Sequence, residues 1–282
     1  MEYQQRQKDP ADLIEAATLR TYFEEQLNTI EFILKKRHSK ISEEDIHKLR
    51  VAIKRIKSLS ELILFCVPDF KSKKFLKRYN KIFSAAGKAR ELQLEISMLK
   101  NLEIFDSVKN YGHHLNMILK KKKRRLFSLS DSEMIHKLEK RSQIILRCFD
   151  TVSKNKVNRF LEEKTDEIRK LMETRNLKTE EVHRLRKILK ELYYTVLIFR
   201  VKDDRFKYID DFQELLGQWH NDVVLKGYLE KAVNSGQLRN KENKIIKEAK
   251  QRISSESNAL FEKIKLRILD MQESGKKLEI YL

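Results

Sequence analysis

Glycine and proline are almost missing from this chain: its 282 residues include 6 Gly and 2 Pro. β-Hairpins and tight-turn architectures need such residues repeatedly, so their scarcity argues against both. Cysteine is just as rare. Cys66 and Cys148 each stand in an apolar helical context (LFCV and LRCF), which reads as a buried free thiol rather than a disulfide or metal ligand. Long apolar runs are absent too, and nothing approaches the roughly 20 residues of a membrane span. The opening MEYQQRQKDP lacks the apolar centre of a secretory leader, so the expected location is the cytoplasm.

What the chain does have is charge and helix-forming residues. Charged residues make up 37% and hydrophobic ones 40%, a folded rather than a disordered composition. Long stretches rich in Leu, Ile, Lys and Glu predict helix almost throughout. The net charge is +19, with 61 Lys and Arg, so the expected partner is a polyanion. Nucleic acid, an acidic membrane surface and polyphosphate all satisfy that expectation.

The chain also repeats itself. SEEDIHKLRVAIKRIK from Ser42 to Lys57 matches TEEVHRLRKILKELYY from Thr179 to Tyr194. Placing His47 on His183 also pairs Leu49 with Leu185, Arg50 with Arg186, Ile53 with Leu189 and Lys54 with Lys190. A second matched segment follows each copy: FSAAGKARELQLEISML from Phe83 and LLGQWHNDVVLKGYL from Leu215. Gly217 lies about one and a half helical turns closer to its histidine than Gly87 does, the offset a shortened loop would give. Helices are expected over 11–38, 42–66, 71–104 (interrupted near Gly87) and 107–128, then over 132–175, 179–200, 204–217, 219–234 and 238–273. Ser42 with Asp45 fits a capping box, Thr179 fits an N-cap, and Ser130 with Glu133 marks a further helix start. The expected organisation is all-α: a first helical bundle over 1–130 and a second over 131–282, as two four-helix bundles related by a pseudo-twofold.

The repeated helix has two opposed faces. Ile46, Leu49, Ile53 and Ile56 form an apolar stripe, as do Val182, Leu185, Leu189 and Leu192; both read as core. Opposite them lie His47, Arg50, Lys54 and Lys57 in the first copy, and His183, Arg186, Lys187 and Lys190 in the second. Like charges three and four residues apart destabilise a helix by a few tenths of a kcal/mol each. A pattern that works against helix stability, present twice with a histidine at the same place, points to an external anion. Imidazole adds one or two hydrogen-bond donors to such a site. Metal binding is not indicated: His113 and His114 are adjacent and point to different sides of a helix, and no HxxxH set occurs. No cofactor is expected.

At these residues the chain resembles a family. HKLRVAIKRIK with AGKAREL, and HRLRKILKELYY with LGQWHND, resemble the CHAD family, the conserved-histidine α-helical domains, over nearly the whole length. The resemblance implies paired helical bundles around a basic central cavity, with inorganic polyphosphate as ligand. It places His47, Arg50 and Lys54 in a first HxxR motif and His183, Arg186 and Lys190 in a second, with Lys57 and Lys187 extending the stripes. The chain departs from the family pattern at Glu91 and at Asn221, where an Asp is usual. Glu191 stands opposite Arg55 and Tyr193 opposite Lys57, so the second stripe is expected to be the less basic. No ExExK triad of the CYTH domain, which many members carry, occurs in these residues.

The expected function is therefore non-catalytic binding of polyphosphate in a groove between the bundles, with association to polyphosphate granules in view. Lys74, Lys77, Arg78 and Lys81 offer a secondary basic surface, while the run from Lys120 to Arg125 wraps its helix and reads as general attraction for polyanions. Nucleic-acid binding is the alternative; against it, aromatics do not interleave with the stripes apart from Tyr193 and Tyr194. Hydrolysis of polyphosphate is the third reading. It would call for paired acids or a P-loop, and the stripes carry neither.

Overall fold

A computed structural model describes residues 16–37, 40–129, 132–174, 177–199, 204–236 and 238–273. Every regular element among these is helical. They are α1 (Ala16–Leu34), α2 (Glu43–Cys66), α3 (Ser72–Asn101), α4 (Lys109–Phe127), α5 (Ser132–Leu146), α6 (Lys154–Met172), α7 (Thr179–Ile198), α8 (Asp204–Asn234) and α9 (Asn240–Glu273). Short 3-10 turns at Phe105–Val108 and Phe149–Thr151 precede α4 and α6. α1 packs on α2, α2 on α3, α3 on α4, α6 on α7, α7 on α8 and α8 on α9, and α2 also lies against α6 and α7, so the two repeated helices meet. No helix of the described residues is long and apolar enough to cross a membrane.

The start of α2 follows its sequence closely. Asp45 N–H donates to Ser42 Oγ at 3.0 Å and Ser42 N–H to Asp45 Oδ2 at 2.9 Å, the reciprocal capping box. At α7 the cap sits one residue earlier than expected: Lys178 precedes the helix, and its N–H donates to Glu181 Oε2 at 2.6 Å. The helix start expected at Ser130, and with it the junction between the two bundles, lies outside the described residues. Beyond it, α5 packs on α3. Neither cysteine forms a disulfide among the described residues; Cys66 is buried and Cys148 partly so.

Three expected helix limits differ. α3 runs unbroken through Gly87 and α8 through Gly217, because one glycine costs a helix only about 1 kcal/mol against Ala. The helix expected over 132–175 is instead split, because Phe149 turns into the core against Phe23, with ring centroids 6.3 Å apart. The glycine offset also has a different origin from a shortened loop. α7 runs 15 residues past its histidine where α2 runs 19, and Gly217 stands 13 residues into α8 where Gly87 stands 15 into α3, so the whole offset lies within the helices.

Far from these helices, one carboxylate ties the halves together. Glu242, buried in the first turn of α9, accepts from the Asn110 N–H at 2.9 Å and its Nδ2 at 3.3 Å, and from the Arg239 N–H at 3.3 Å. The Asn110 amide is one of the unpaired donors at the start of α4, so a residue of the last helix caps a helix of the first half.

Candidate functional site

The apolar stripes are core: Ile46, Leu49, Ile53 and Ile56 are fully buried, as are Val182, Leu185 and Leu192. Burying them turns the basic faces of α2 and α7 toward a shared cavity of about 350 Å³. Its walls are Lys54, Lys57, Ser58 and Glu61 from α2, and Arg186, Lys187, Lys190, Glu191 and Tyr194 from α7. Five of the eight predicted side chains thus come together. None of these five forms an ion pair with another described residue. Glu191, four residues after Lys187, instead bonds Lys164 of α6 at 3.2 Å.

Cations crowded without partners give up protons easily. Lys54 is held down to about 8 by burial and then by the charges of Lys190, Arg50, Arg186 and Lys57. Lys190 is likewise held to about 8, by burial and by Arg186. Glu61 at the rim moves the other way, its carboxyl raised by partial burial and by Glu191 beside it. Lys54 thus lies within electrostatic reach of Lys190 and Arg186 of α7, which line the same cavity.

Arg50 stands just outside that lining and is firmly held. Its Nη1 donates to the Phe83 carbonyl at 3.1 Å, and its guanidinium carbon lies 4.2 Å from the centre of the Phe83 ring. Lys57 Nζ lies 4.1 Å from the same ring. This explains Gly87: a Cβ there would sit 2.6 Å from Arg50 Nη1, so the absent side chain makes room for the guanidinium. Arg186, its counterpart, has a buried Nε with no hydrogen-bond partner among the described residues.

The two histidines do not line the cavity. His47 lies exposed toward the start of α2, lowered in pKa by partial desolvation and by Arg90. His183 packs its ring on Trp219, 4.6 Å between centroids, and meets the His220 ring edge-on at 5.2 Å. His220 is pushed down to about 4 by burial and by Arg186, His183, Lys190 and Lys54, and its Nδ1 finds no partner among the described residues. Arg90 and His220 are the residues missed by reading the sequence. Each stands three positions after the glycine of its repeat and beside the histidine of the preceding helix, so aligning the glycines as well as the histidines would have found both.

The secondary basic surface stays apart. Lys74, Lys77 and Lys81 are exposed on α3 and Arg78 is half-buried, and none reaches the cavity. The Lys74 carbonyl accepts a bond from the Arg141 guanidinium of α5. The cations from Lys120 to Arg125 fill the end of α4, a separate region again.

The sequence matches the CHAD domain over residues 21–230. The fold is similar to the crystal structure of the CHAD domain from the plant Ricinus communis, with a TM-score of 0.73 at 15% identity over 94% of each chain. No curated protein matches the chain.

Proposed function

We propose that this chain, which belongs to the CHAD domain family, binds inorganic polyphosphate along the cavity between α2 and α7 without cleaving it. The observation that carries this reading is the set of five cations facing one cavity, none of them in an ion pair with another described residue, against two acids, Glu61 and Glu191, in the same walls. Clustered, half-buried like charges destabilise the empty protein, and a bound polyanion offsets that repulsion. A flexible strand with one charge per phosphate can meet Lys ammonium groups singly and a forked Arg side chain twice. Lys54, Lys57, Arg186, Lys187 and Lys190 make the first contacts, and Arg50, His47 and His183 extend the track outward along each helix. Lys74, Lys77, Arg78 and Lys81 gather the strand outside the cavity. Such a protein would reside in the cytoplasm, at polyphosphate granules where these form.

Nucleic acid fits the site less well, because the nearby aromatics are already engaged. Phe83 is covered by Arg50 and Lys57, and Trp219 is buried against His183, which leaves little for bases to stack on. Cleavage is disfavoured for a similar reason: of the two acids at the cavity, Glu191 is tied to Lys164. Competition separates these readings. Long-chain polyphosphate should resist displacement by DNA or RNA at equal phosphate concentration, and phosphate release by purified protein with Mg²⁺ or Mn²⁺ would refute the non-catalytic part.

A further inference from the structure

We infer that Lys54 and Lys190 are a covalent modification site, at which the cavity docks the phosphate end of a small acyl phosphate and one of the two amines takes its acyl group. The inference rests on the reading that this cavity accepts phosphate-type anions. It adds a reaction of the protein's own side chains.

Two properties must coincide for a lysine to attack such a donor: a free amine and a place for the leaving phosphate. Lys54 and Lys190 approach the cavity from opposite helices, with Arg186 and Lys187 in the same walls to hold a phosphate. At about 350 Å³ the space lies at the small end of ligand pockets, which run from about 300 to 1,000 Å³. Lys54 is faced by Arg50 and Lys57 on its own helix, by Arg186 and Lys190 from α7, and by His220 from α8. With both lysines held to about 8, a substantial share of each is unprotonated near neutrality. An ordinary surface lysine, near 10.4, has about one amine in a thousand free at pH 7.5.

The step balances without a co-reactant. The amine lone pair forms a C–N bond to the acyl carbon, and the bond from that carbon to the phosphate oxygen breaks. The phosphate leaves with the electron pair, and the amine proton passes to it. One positive charge is lost from the cavity. The remaining lysine then feels less repulsion and holds its proton more firmly, so one acyl group per cavity is expected. Acylation would thereby weaken polyanion binding, and a bound polyanion would shield the amines.

Acetyl phosphate and peptide mass spectrometry test this on the full chain at pH 7.5. Lys54 or Lys190 should acetylate about tenfold or more faster than Lys187, which lines the same cavity but is exposed; equal rates would overturn the inference. Excess inorganic phosphate should slow acetylation by acetyl phosphate more than acetylation by phenyl acetate, a neutral donor that does not compete for the phosphate-holding groups. If phosphate slows neither, the docking part is wrong. Polyphosphate binding by untreated protein is measured alongside. Its absence together with selective acetylation would sink the proposed function and leave this site standing, and the converse would sink this site alone.

Discussion

The two copies of the basic helix share a histidine and an arginine, but the arginines have different surroundings. Arg50 is bonded to a backbone carbonyl, laid on Phe83 and accommodated by Gly87. Arg186 lines the cavity with a nitrogen that bonds no described residue, and a Cβ at the matching Gly217 would meet nothing within 4 Å. The sequence marks the second stripe as the less basic. Even so, α7 supplies three cations to the cavity and α2 two. A basic residue's availability depends on what already occupies it, which counting charges does not reveal.

The largest effect should come from removing both arginines. Arg50→Gln with Arg186→Gln deletes two charged hydrogen-bond donors worth about 1.5–3 kcal/mol each, so polyphosphate binding should weaken by on the order of a hundredfold or more. Taken singly, Arg186→Gln should cost more affinity and Arg50→Gln more thermal stability. The opposite order in paired titration and melting experiments would break the contrast between them.

The pH response comes next in size. A bound polyanion favours charged lysine, so Lys54 and Lys190 titrate above their free value of about 8 in the complex. Affinity should be full below pH 8 and fall above it, by up to about tenfold per pH unit for each lysine. Stability of the free protein should move the other way. These lysines release protons on folding between about 8 and the unfolded value near 10.4, so their contribution to stability rises with pH across that range. Parallel affinity and melting profiles from pH 7.5 to 9.5 would show whether the two trends oppose. The histidines act lower: His47 and His183 are both lowered from the usual value, so any strengthening through them should set in below pH 6.5 rather than at it.

Smaller effects separate the glycines. Gly217→Ala should stabilise by about 0.5–1 kcal/mol, seen as a rise of a few degrees in Tm, with binding unchanged. Gly87→Ala should displace Arg50 from the Phe83 carbonyl, cancelling most of that gain and altering affinity. Equal behaviour of the two variants would remove the reason given for Gly87. Neutralising Lys120 to Arg125 should change affinity less than any loss of a cavity cation and mainly flatten its salt dependence, since that run lies away from the cavity.

The features that local chemistry dictates could be read from the sequence: the Ser42–Asp45 box, the apolar stripes and the basic stripe opposite each of them. What could not be read depends on distant partners. Gly87 and Gly217 look like breaks because nothing nearby in sequence shows that an arginine 37 positions earlier packs on one of them. Phe149 looks like one more helical residue until Phe23 is seen beside it. Arg90 and His220 stood within the matched segments, but their role appears only when α3 and α8 bring them against the histidines.

The Glu242 contact also bears on how this protein can be cut. The CHAD match ends at residue 230, before α9 begins at Asn240. A truncation at the end of the match would strip the amide cap from α4 and leave the buried inner face of α8 without its cover. The family match is therefore shorter than the folding unit, and the final helix belongs in any fragment meant to stand alone.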